Sequence, residues 1–221
     1  MQLDLFDAKR NEIVGATTYA EFRHRLVQSD CRRCPLSAHR TNIVADRGNP
    51  AASILVIGEG PGEQEDLKGE AFVGKAGQLL DKIMASVGLD TNRHMLIVNV
   101  VKCRPTENGD NRAPRQDEVE ACLPFLQRQI ALVKPKIILL LGATSLKHLD
   151  PSKKDFSMSN EAGRFFTLGG FPGVQFMVLY HPAALLYNAK LKPEMWGHVQ
   201  ALRDFLKEKG WWPKDAKAVK A

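Results

Sequence analysis

The stretch "SILVIGE" at residues 53–59, followed directly by "GPGEQED" at residues 60–66, decides the fold. Its first half is a short apolar run with β-branched residues, and glycines and acidic residues follow it, which is typical of a fully buried strand. Similar apolar runs recur later in the chain: "MLIVNVV" at 95–101, "KIILLLG" at 136–142 and "VQFMVLY" at 174–180. Each of these runs is predicted to be a buried strand.

Helical patterns separate the apolar runs. "TYAE" at 18–21 has the form of a capping box that opens a helix to about Gln28. Further helices are predicted over 74–88, 115–133 and 193–209, and from about Ala143. Buried strands that alternate with helices predict an α/β fold, with three α/β/α layers around a central, mostly parallel, four-stranded sheet.

Length and composition indicate one globular domain. The chain has 221 residues, of which 44% are hydrophobic and 25% are charged. No apolar run approaches the roughly 20 residues that span a bilayer, so no membrane contact is expected. We expect a flexible arm over residues 1–16, a single domain over 17–212 and a basic tail over 213–221. The net charge of +6 favours a polyanionic partner, and the domain is expected to act as a monomer.

Three polar segments stand at the ends of predicted strands. "GEGPGEQED" at 58–66 follows the first strand, Asn99 interrupts the second, and "HPAALLYN" at 181–188 follows the fourth. In open α/β sheets, ligands bind outside the carboxyl ends of the strands. The sequence therefore predicts one site built from these three segments.

The four cysteines of the chain are candidates for a metal site. Cys31 and Cys34 form a C-x2-C pair in "CRRCP", and Cys103 and Cys122 follow far along the chain. Because the sequence has no export signal, disulfides are disfavoured and a cytoplasmic location is expected. A tetrahedral zinc ion and an iron–sulfur cluster both remain compatible with these thiols, since a cluster can be held by a local pair and two distant residues.

Several motifs carry a resemblance to a known family. "GEGPGEQED", "AFVGKAGQLLD", "NVVKCRP", "NRAP" and "HPAALL" occur in this order, with "CRRCPL" ahead of them. This ordered set, from about residue 31 to 203, resembles the family 4 uracil-DNA glycosylases of bacteria and archaea. The resemblance implies a structural [4Fe-4S] cluster on Cys31, Cys34, Cys103 and Cys122. It also implies a repair enzyme that flips uracil out of DNA and hydrolyses its N-glycosidic bond, leaving an abasic site.

The resemblance assigns three side chains to the base. Asn99 would read uracil, because its amide can donate to O4 and accept from N3–H, a pattern that cytosine reverses. Phe72 would stack on the ring, and His181 would stabilise the negative charge that develops on O2 as the bond breaks. From the residues alone, the competing interpretations are an asparagine that ends a strand, an ordinary core phenylalanine and a structural histidine.

The attacking water has no obvious carboxylate base in the sequence. Gly60 occupies the place where family 1 glycosylases carry an aspartate. We expect Glu59, with the backbone of Gly60 and Pro61, to line the pocket and position the water. Glu63 and Asp66 are other carboxylates in the same segment.

The DNA itself is expected to contact residues near the motifs. Leu185 and Leu186 would act as an apolar wedge, and Lys75 would contact a phosphate. Lys102, Arg104, Arg112 and Arg115 are further phosphate candidates.

The chain departs from the family pattern in places. The segment "RPTENGDNRAP" is longer than usual, and Ala71, Ala184 and Tyr187 replace the common proline, tyrosine and arginine. Two alternatives remain: a non-catalytic iron–sulfur DNA-binding module, and a relative that becomes covalently trapped on the abasic sugar. The second carries a glutamine at the Gly60 position and a histidine in a basic loop, and both are lacking here.

The first residues suggest a partner protein. Gln2, Leu3, Asp4, Leu5 and Phe6 resemble the pentapeptide by which bacterial replication and repair proteins bind the DNA sliding clamp. In that interpretation Leu5 and Phe6 fill an apolar pocket of the clamp. The alternative is that these side chains pack on the surface of their own domain.

Overall fold

The computed structural model describes residues 10–150, 152–153 and 155–217, and the predicted clamp-binding residues 2–6 lie outside these ranges. Its centre is a six-stranded sheet. In chain order the strands of this sheet are β1 (Arg47–Gly48), β2 (Ile54–Gly58), β3 (Met95–Asn99), β6 (Ile137–Leu141), β7 (Phe165–Phe166) and β8 (Gln175–Leu179). The remaining two strands, β4 (Thr106–Glu107) and β5 (Asp110–Asn111), form a separate antiparallel hairpin.

The strand order in the sheet is β1-β3-β2-β6-β8-β7. The four inner strands, which are the predicted ones, run parallel, with Ile54 opposite both Met95 and Ile137. The two edge strands are antiparallel and correct the predicted count from four to six. Each edge strand is two residues long, which is too short to show any periodicity in the sequence.

Helices cover both faces of the sheet. They are α1 (described over 10–14), α2 (Tyr19–Gln28), α3 (Glu63–Lys68), α4 (Lys75–Ala85), α5 (Gln116–Val133), α6 (Gly142–Leu149), α7 (Met158–Glu161), α8 (Pro182–Tyr187) and α9 (Lys192–Glu208). The predicted N-cap of α2 is present, because the hydroxyl of Thr18 accepts a hydrogen bond from the backbone N–H of Glu21 at 3.2 Å. The second bond of the predicted capping box is shifted by one residue, since the Glu21 carboxylate accepts from the backbone N–H of Thr17 at 2.7 Å.

Two apolar layers flank the sheet, since alternate residues of each strand face opposite sides. One layer joins Leu55 and Ile57 to Phe22, Leu26, Val119 and Phe125. The other joins Ile54 and Val56 to Leu80, Ile83, Val199 and Leu202. Each buried aliphatic side chain stabilises the fold by roughly 1.5–3 kcal/mol relative to exposure. The predicted three-layer α/β/α architecture is confirmed.

Both ends of the described chain contact the domain. Ile13 and Ala16, which fall within the predicted arm, are buried in the core. Asp215, within the predicted tail, accepts a hydrogen bond from Arg93 at 2.5 Å and lies 3.2 Å from Nε2 of His94. No described helix has both the length and the apolar character that crossing a membrane requires.

Candidate active site

The predicted site lies at the carboxyl edge of the parallel sheet. Glu59 directly follows β2, Asn99 ends β3 and His181 follows β8. A fourth strand contributes as well, because β6 lies between β2 and β8 and leads into α6 at the same edge. The sequence predicted three of these four segments.

Asn99 presents a buried amide without a partner. The residue is 1% exposed, and neither its Nδ2 nor its Oδ1 forms a hydrogen bond within the described part of the chain. Buried polar groups are almost always paired, and an unpaired one costs about 1–3 kcal/mol. This amide is therefore available to a ligand that offers one acceptor and one donor.

Gly58 keeps the space beside Asn99 open. The two residues are opposite each other in the parallel register of β2 and β3. A Cβ atom at Gly58 would lie 2.6 Å from Oδ1 of Asn99 and 2.6 Å from the ring of Phe72. Asn99 and Phe72 thus face the same small space, and only glycine leaves it free.

Phe72 is held in an unusual backbone conformation. Its φ of 55° lies in the left-handed region, which costs a non-glycine residue on the order of 1–3 kcal/mol. Arg47 donates a hydrogen bond to the Phe72 carbonyl at 2.8 Å, and a Cβ atom at Gly77 would lie 1.7 Å from that same oxygen. Close packing against α4 therefore fixes the Phe72 backbone, and the centroid of its ring is 5.7 Å from that of His181.

His181 is oriented as a neutral hydrogen-bond donor. Its Nδ1 accepts a hydrogen bond from the backbone N–H of Ala183 at 3.2 Å, so the proton of the neutral ring lies on Nε2. Burial lowers the pKa of His181 to about 4, although the charge of Glu65 opposes this shift. Gly142, with a φ of +83°, allows close approach, because a Cβ atom there would lie 3.0 Å from Cβ of His181.

Glu59 has a partner that the sequence did not indicate. The hydroxyl of Thr144, on α6, donates a hydrogen bond to its carboxylate. Thr144 and Gly142 both belong to the segment that follows β6. The signal that would have revealed them is "LGAT" at 141–144, a glycine and a hydroxyl directly after a buried strand.

The other carboxylates of the first motif hold loops together. Glu65 accepts hydrogen bonds from the backbone N–H groups of Gly62 at 3.1 Å and Gly74 at 2.7 Å. Asp66 is buried and accepts from the backbone N–H groups of Thr41 and Asn42. Glu63 is exposed at the start of α3.

The turn at Gly60 and Pro61 is tightly packed. A Cβ atom at Gly60 would lie 2.9 Å from Cγ2 of Val101 and 3.2 Å from Cδ of Pro105, and Pro61 is buried. A larger side chain at position 60 would displace these neighbours. The space beside Glu59 is therefore formed by backbone.

The residues that were expected to contact DNA differ in how exposed their side chains are. Lys75 is exposed at the first residue of α4, and Leu186 is 47% exposed. Leu185 is only 1% exposed and packs in the core, which corrects its assignment to an apolar wedge. Its neighbour Tyr187 is 92% exposed, so Leu186 and Tyr187 form the projecting apolar pair.

The basic residues after β3 are mostly engaged with the protein. Lys102 is 1% exposed, which excludes a phosphate contact in this conformation. Arg112 forms two hydrogen bonds with the buried carboxylate of Glu118, at 2.6 and 2.8 Å. Arg104 bonds to the β4–β5 hairpin, and Arg115 pairs with Glu107 at 3.2 Å.

The four cysteines are free thiols that line one cavity. Cys103 and Cys122 are buried, and burial is the main cause that raises the pKa of each thiol to about 12. Thiolates in this cavity consequently need positive charge beside them, which a metal centre or basic side chains provide. In the part of the chain that is described, no group of three or more His, Cys, Asp or Glu side chains is arranged to hold a metal ion.

Several known proteins that are similar to this chain are named uracil-DNA glycosylases. A family profile described as the uracil DNA glycosylase superfamily matches residues 45–205. A type-4 uracil-DNA glycosylase of Saccharolobus solfataricus is 38% identical over 183 residues, which cover 81% of this chain and 83% of that protein.

Two further relatives carry the same name. The type-4 uracil-DNA glycosylase of Sulfurisphaera tokodaii is 41% identical over 73% of this chain and 74% of its own length. That of Archaeoglobus fulgidus is 40% identical over 74% of this chain and 82% of its own length. With this degree of identity, and with the ends of four parallel strands meeting at one site, the chain belongs to the uracil DNA glycosylase superfamily and, within it, to the type-4 uracil-DNA glycosylases.

Proposed function

We propose that this protein is a DNA repair enzyme that excises uracil from DNA by hydrolysing its N-glycosidic bond, leaving an abasic site. The observation that carries the proposal is the unpartnered buried amide of Asn99, which faces the same small space as the ring of Phe72. His181 lies beside that ring. A base-sized ligand placed there meets a hydrogen-bonding edge, an aromatic surface and a neutral donor.

Asn99 selects the base by its hydrogen-bond pattern. Its N–H donates to O4 of uracil and its carbonyl oxygen accepts from N3–H. Cytosine offers a donor and an acceptor in reverse order, so both contacts would be lost. Each buried polar group left unpaired costs about 1–3 kcal/mol, which disfavours cytosine in the pocket.

His181 stabilises the departing base. As the glycosidic bond breaks, the bonding electrons move onto uracil and charge develops on O2. A fixed Nε2–H donor stabilises that charge more than it stabilises the ground state, which lowers the barrier. The backbone N–H of Ala183 holds the ring in the required tautomer without supplying a positive charge.

Glu59 positions the water that attacks C1′ of the sugar. The carboxylate is fixed by Thr144 and adjoins the backbone of Gly60 and Pro61. An oxocarbenium-like sugar is a strong electrophile, so a positioned water suffices and the proton passes to solvent or to the carboxylate.

The uracil reaches the pocket by flipping out of the stack. Flipping costs a few kcal/mol, and apolar side chains inserted into the duplex offset part of this cost. Leu186 and Tyr187 are exposed on α8, the helix that His181 caps, so they project within about 9 Å of the histidine along the helix axis. In this proposal Lys75, which is exposed at the first residue of α4, contacts a DNA phosphate.

The four cysteines hold one [4Fe-4S] cluster in this proposal. Such a cluster takes four thiols as ligands, and four free thiols line one cavity here. They come from residues 31–34, from the loop after β3 and from α5. When bound, the cluster supplies a covalent link between distant parts of the chain and no redox step. Free thiols also favour a reducing compartment such as the cytoplasm.

The two alternatives are disfavoured by the site. A non-catalytic DNA-binding module has no need for Asn99, Phe72 and His181 around one space. A covalently trapping enzyme requires a glutamine at position 60, where even a Cβ atom would crowd Val101 and Pro105.

Incubation with a uracil-containing oligonucleotide, followed by alkaline cleavage of abasic sites, tests the activity. We expect cleavage at uracil and none at cytosine. His181→Ala should slow excision by about 10²-fold, the loss typical of one oxyanion-type donor, while affinity for abasic-site DNA changes little. The exposed His24 on α2 supplies a control, His24→Ala, which should match the wild type. Equal losses of excision and of product binding would contradict the role of His181.

We also propose that residues 2–6 bind the DNA sliding clamp, which would hold the enzyme near newly made DNA. Such short motifs bind with a Kd on the order of 1 μM. Calorimetry of the full chain against the clamp of the same organism should detect binding that the double variant Leu5→Ala, Phe6→Ala loses. Excision from naked oligonucleotides should be unchanged. Absent binding, or equal binding by both proteins, would contradict the proposal.

A further inference from the structure

Lys102 is a buried lysine beside the cysteine cavity. It is 1% exposed and directly precedes Cys103. Lysines are almost never fully buried unless their charge is paired. Within the described ranges its ammonium forms no ion pair with a carboxylate, and the hydrogen bond that it makes is to the main-chain carbonyl of Asn99, at 2.5 Å.

The same residue borders the cavity of the four thiols. Its side chain lines that cavity, and its backbone N–H donates a hydrogen bond to Sγ of Cys122 at 3.3 Å. Lys102 therefore contacts the cysteine site on one side and the residue proposed to read the base on the other. No other described lysine lines this cavity.

The charge of a loaded four-cysteine site accounts for a buried cation at Lys102. Four thiolates outnumber the positive charge of an iron–sulfur core, so the loaded site is anionic and needs buried counter-charge. Arg40 is a second cation on the cavity, since it donates to the carbonyl of Cys31 at 2.5 Å and approaches Sγ of Cys103 at 3.8 Å. Arg40 also pairs with the exposed carboxylate of Asp30 at 3.3 Å, whereas Lys102 reaches the main chain of Asn99.

Asn99 depends on its backbone for orientation. Its side-chain amide has no hydrogen-bond partner in the described chain, so its position is set by the main chain and by packing rather than by a side-chain hydrogen bond. That main chain is held by the β2–β3 pairing, which ends at Gly58 and Asn99, and by the ammonium of Lys102. A displaced lysine would therefore move the amide.

We propose that Lys102 is a positioning residue that couples the four-cysteine site to uracil recognition: its ammonium balances the thiolate charge and fixes the main chain of Asn99. This inference rests on the proposed function, because it takes the cysteines as cluster ligands and Asn99 as the reader of the base. In this proposal the cluster takes part in no catalytic step, but it influences which base the enzyme accepts.

Two substitutions separate the two contacts. Lys102→Met removes the charge and the donor at similar length, and Lys102→Gln removes the charge but keeps an N–H donor. Lys82→Met, at an exposed lysine of α4, controls for the loss of one positive charge. For each full-length protein, iron and sulfide per chain, cluster lifetime in excess chelator, kcat/KM for uracil and affinity for abasic-site DNA are measured.

We expect Lys102→Met and Lys102→Gln to shorten the cluster lifetime by about tenfold. At equal iron content, Lys102→Met should also lower kcat/KM for uracil by about tenfold, as for one lost buried contact, whereas Lys102→Gln should lose less. Affinity for abasic-site DNA, which has no base for Asn99 to read, should stay within twofold of wild type, as should all properties of Lys82→Met.

Three results would overturn the proposal. The first is a cluster lifetime and an excision rate in Lys102→Met that equal those of the wild type. The second is a loss of abasic-site affinity in Lys102→Met that parallels its loss of excision. The third is failure of both variants to fold, which would make Lys102 a general structural residue. Failure of the proposed function is recognised separately, because wild-type protein would then itself lack iron or excision activity.

Discussion

The hydroxyl of Thr144 donates a hydrogen bond to the carboxylate of Glu59, which joins the end of β6 to the end of β2. Without this donor the carboxylate can adopt other rotamers, and the water-positioning role proposed for Glu59 would be lost. We expect Thr144→Val to lower the single-turnover rate of uracil excision by about tenfold, the effect of one lost buried hydrogen bond to a charged group. Thr144→Ser, which keeps the hydroxyl, should stay near wild type. Equal rates for valine and serine would show that the contact has no part in catalysis.

Asn99→Asp should weaken discrimination against cytosine. A protonated carboxyl presents a donor and an acceptor that can be reversed, so it can match the edge of cytosine as well as that of uracil. The ratio of kcat/KM for uracil to that for cytosine is measured on otherwise identical oligonucleotides. Asn160→Asp, at an exposed position of α7, is the control. An unchanged ratio in Asn99→Asp would place base reading elsewhere.

His181 should remain neutral throughout the range in which free histidines titrate. Its pKa of about 4 in the fold lies below its ordinary value, so the unfolded chain binds more protons between about pH 4 and 6.5. The free energy of unfolding should therefore fall as pH drops through this window, and His181 should contribute no pH dependence above it.

NMR titration of the ring protons measures this pKa, with the His181 signals assigned from His181→Asn. The signals should show no midpoint between pH 5 and 8. A midpoint near 6.5 would contradict the burial of the ring and the neutral-donor role.

Cys103→Ala should abolish iron binding and lower the thermal midpoint. Wild-type protein stripped of iron by a chelator provides the matched control, because the chain has no cysteine outside the proposed set. The stripped wild type and Cys103→Ala should then unfold at similar temperatures, both below the loaded wild type. Freshly purified wild type that contains stoichiometric zinc and no iron would contradict the assignment.

Leu186→Ala and Tyr187→Ala should impair excision from duplex DNA more than from single strands. If the exposed pair acts as a wedge, it fills the space that a flipped nucleotide leaves in a duplex, whereas a single strand has no such enclosed space. We expect about a tenfold loss on duplex substrate for the double variant, in line with the few kcal/mol that flipping costs. Val27→Ala, at an exposed apolar residue of α2, controls for surface hydrophobicity. Equal losses on both substrates would contradict a wedge.

The central part of the fold could be predicted because the four parallel strands are apolar on both faces. A run such as Ile137–Leu141, only five residues long, is typical of a strand in the middle of a sheet that is covered on both faces. The edge strands could not be predicted, since Phe165–Phe166 pairs through the backbone of two residues and carries no pattern. The helix over Gln116–Val133 was predicted, and it continues through Pro124.

In the site, likewise, some residues could be predicted from the sequence and others could not. Glu59, Asn99 and His181 interrupt or follow apolar runs, so their positions alone bring them to one edge. The roles of Leu185 and Lys102 were misassigned because exposure depends on tertiary packing. Leu185 and Leu186 are neighbours on α8 and point in different directions, and Lys102 lies in the loop after β3, which packs against the cysteine cavity. Thr144 was missed because a threonine in the first turn of a helix is common and only the position of β6 between β2 and β8 brings it to Glu59.

The order in which these segments follow one another along the chain has a consequence during translation. All four cysteines and Asn99 precede β6, whereas His181 comes after β8. A polypeptide that leaves the ribosome before β8 is made contains the four cysteines and Asn99 but not His181. If these residues act as proposed, such an unfinished chain carries the thiols of the metal site yet lacks the donor that base excision needs.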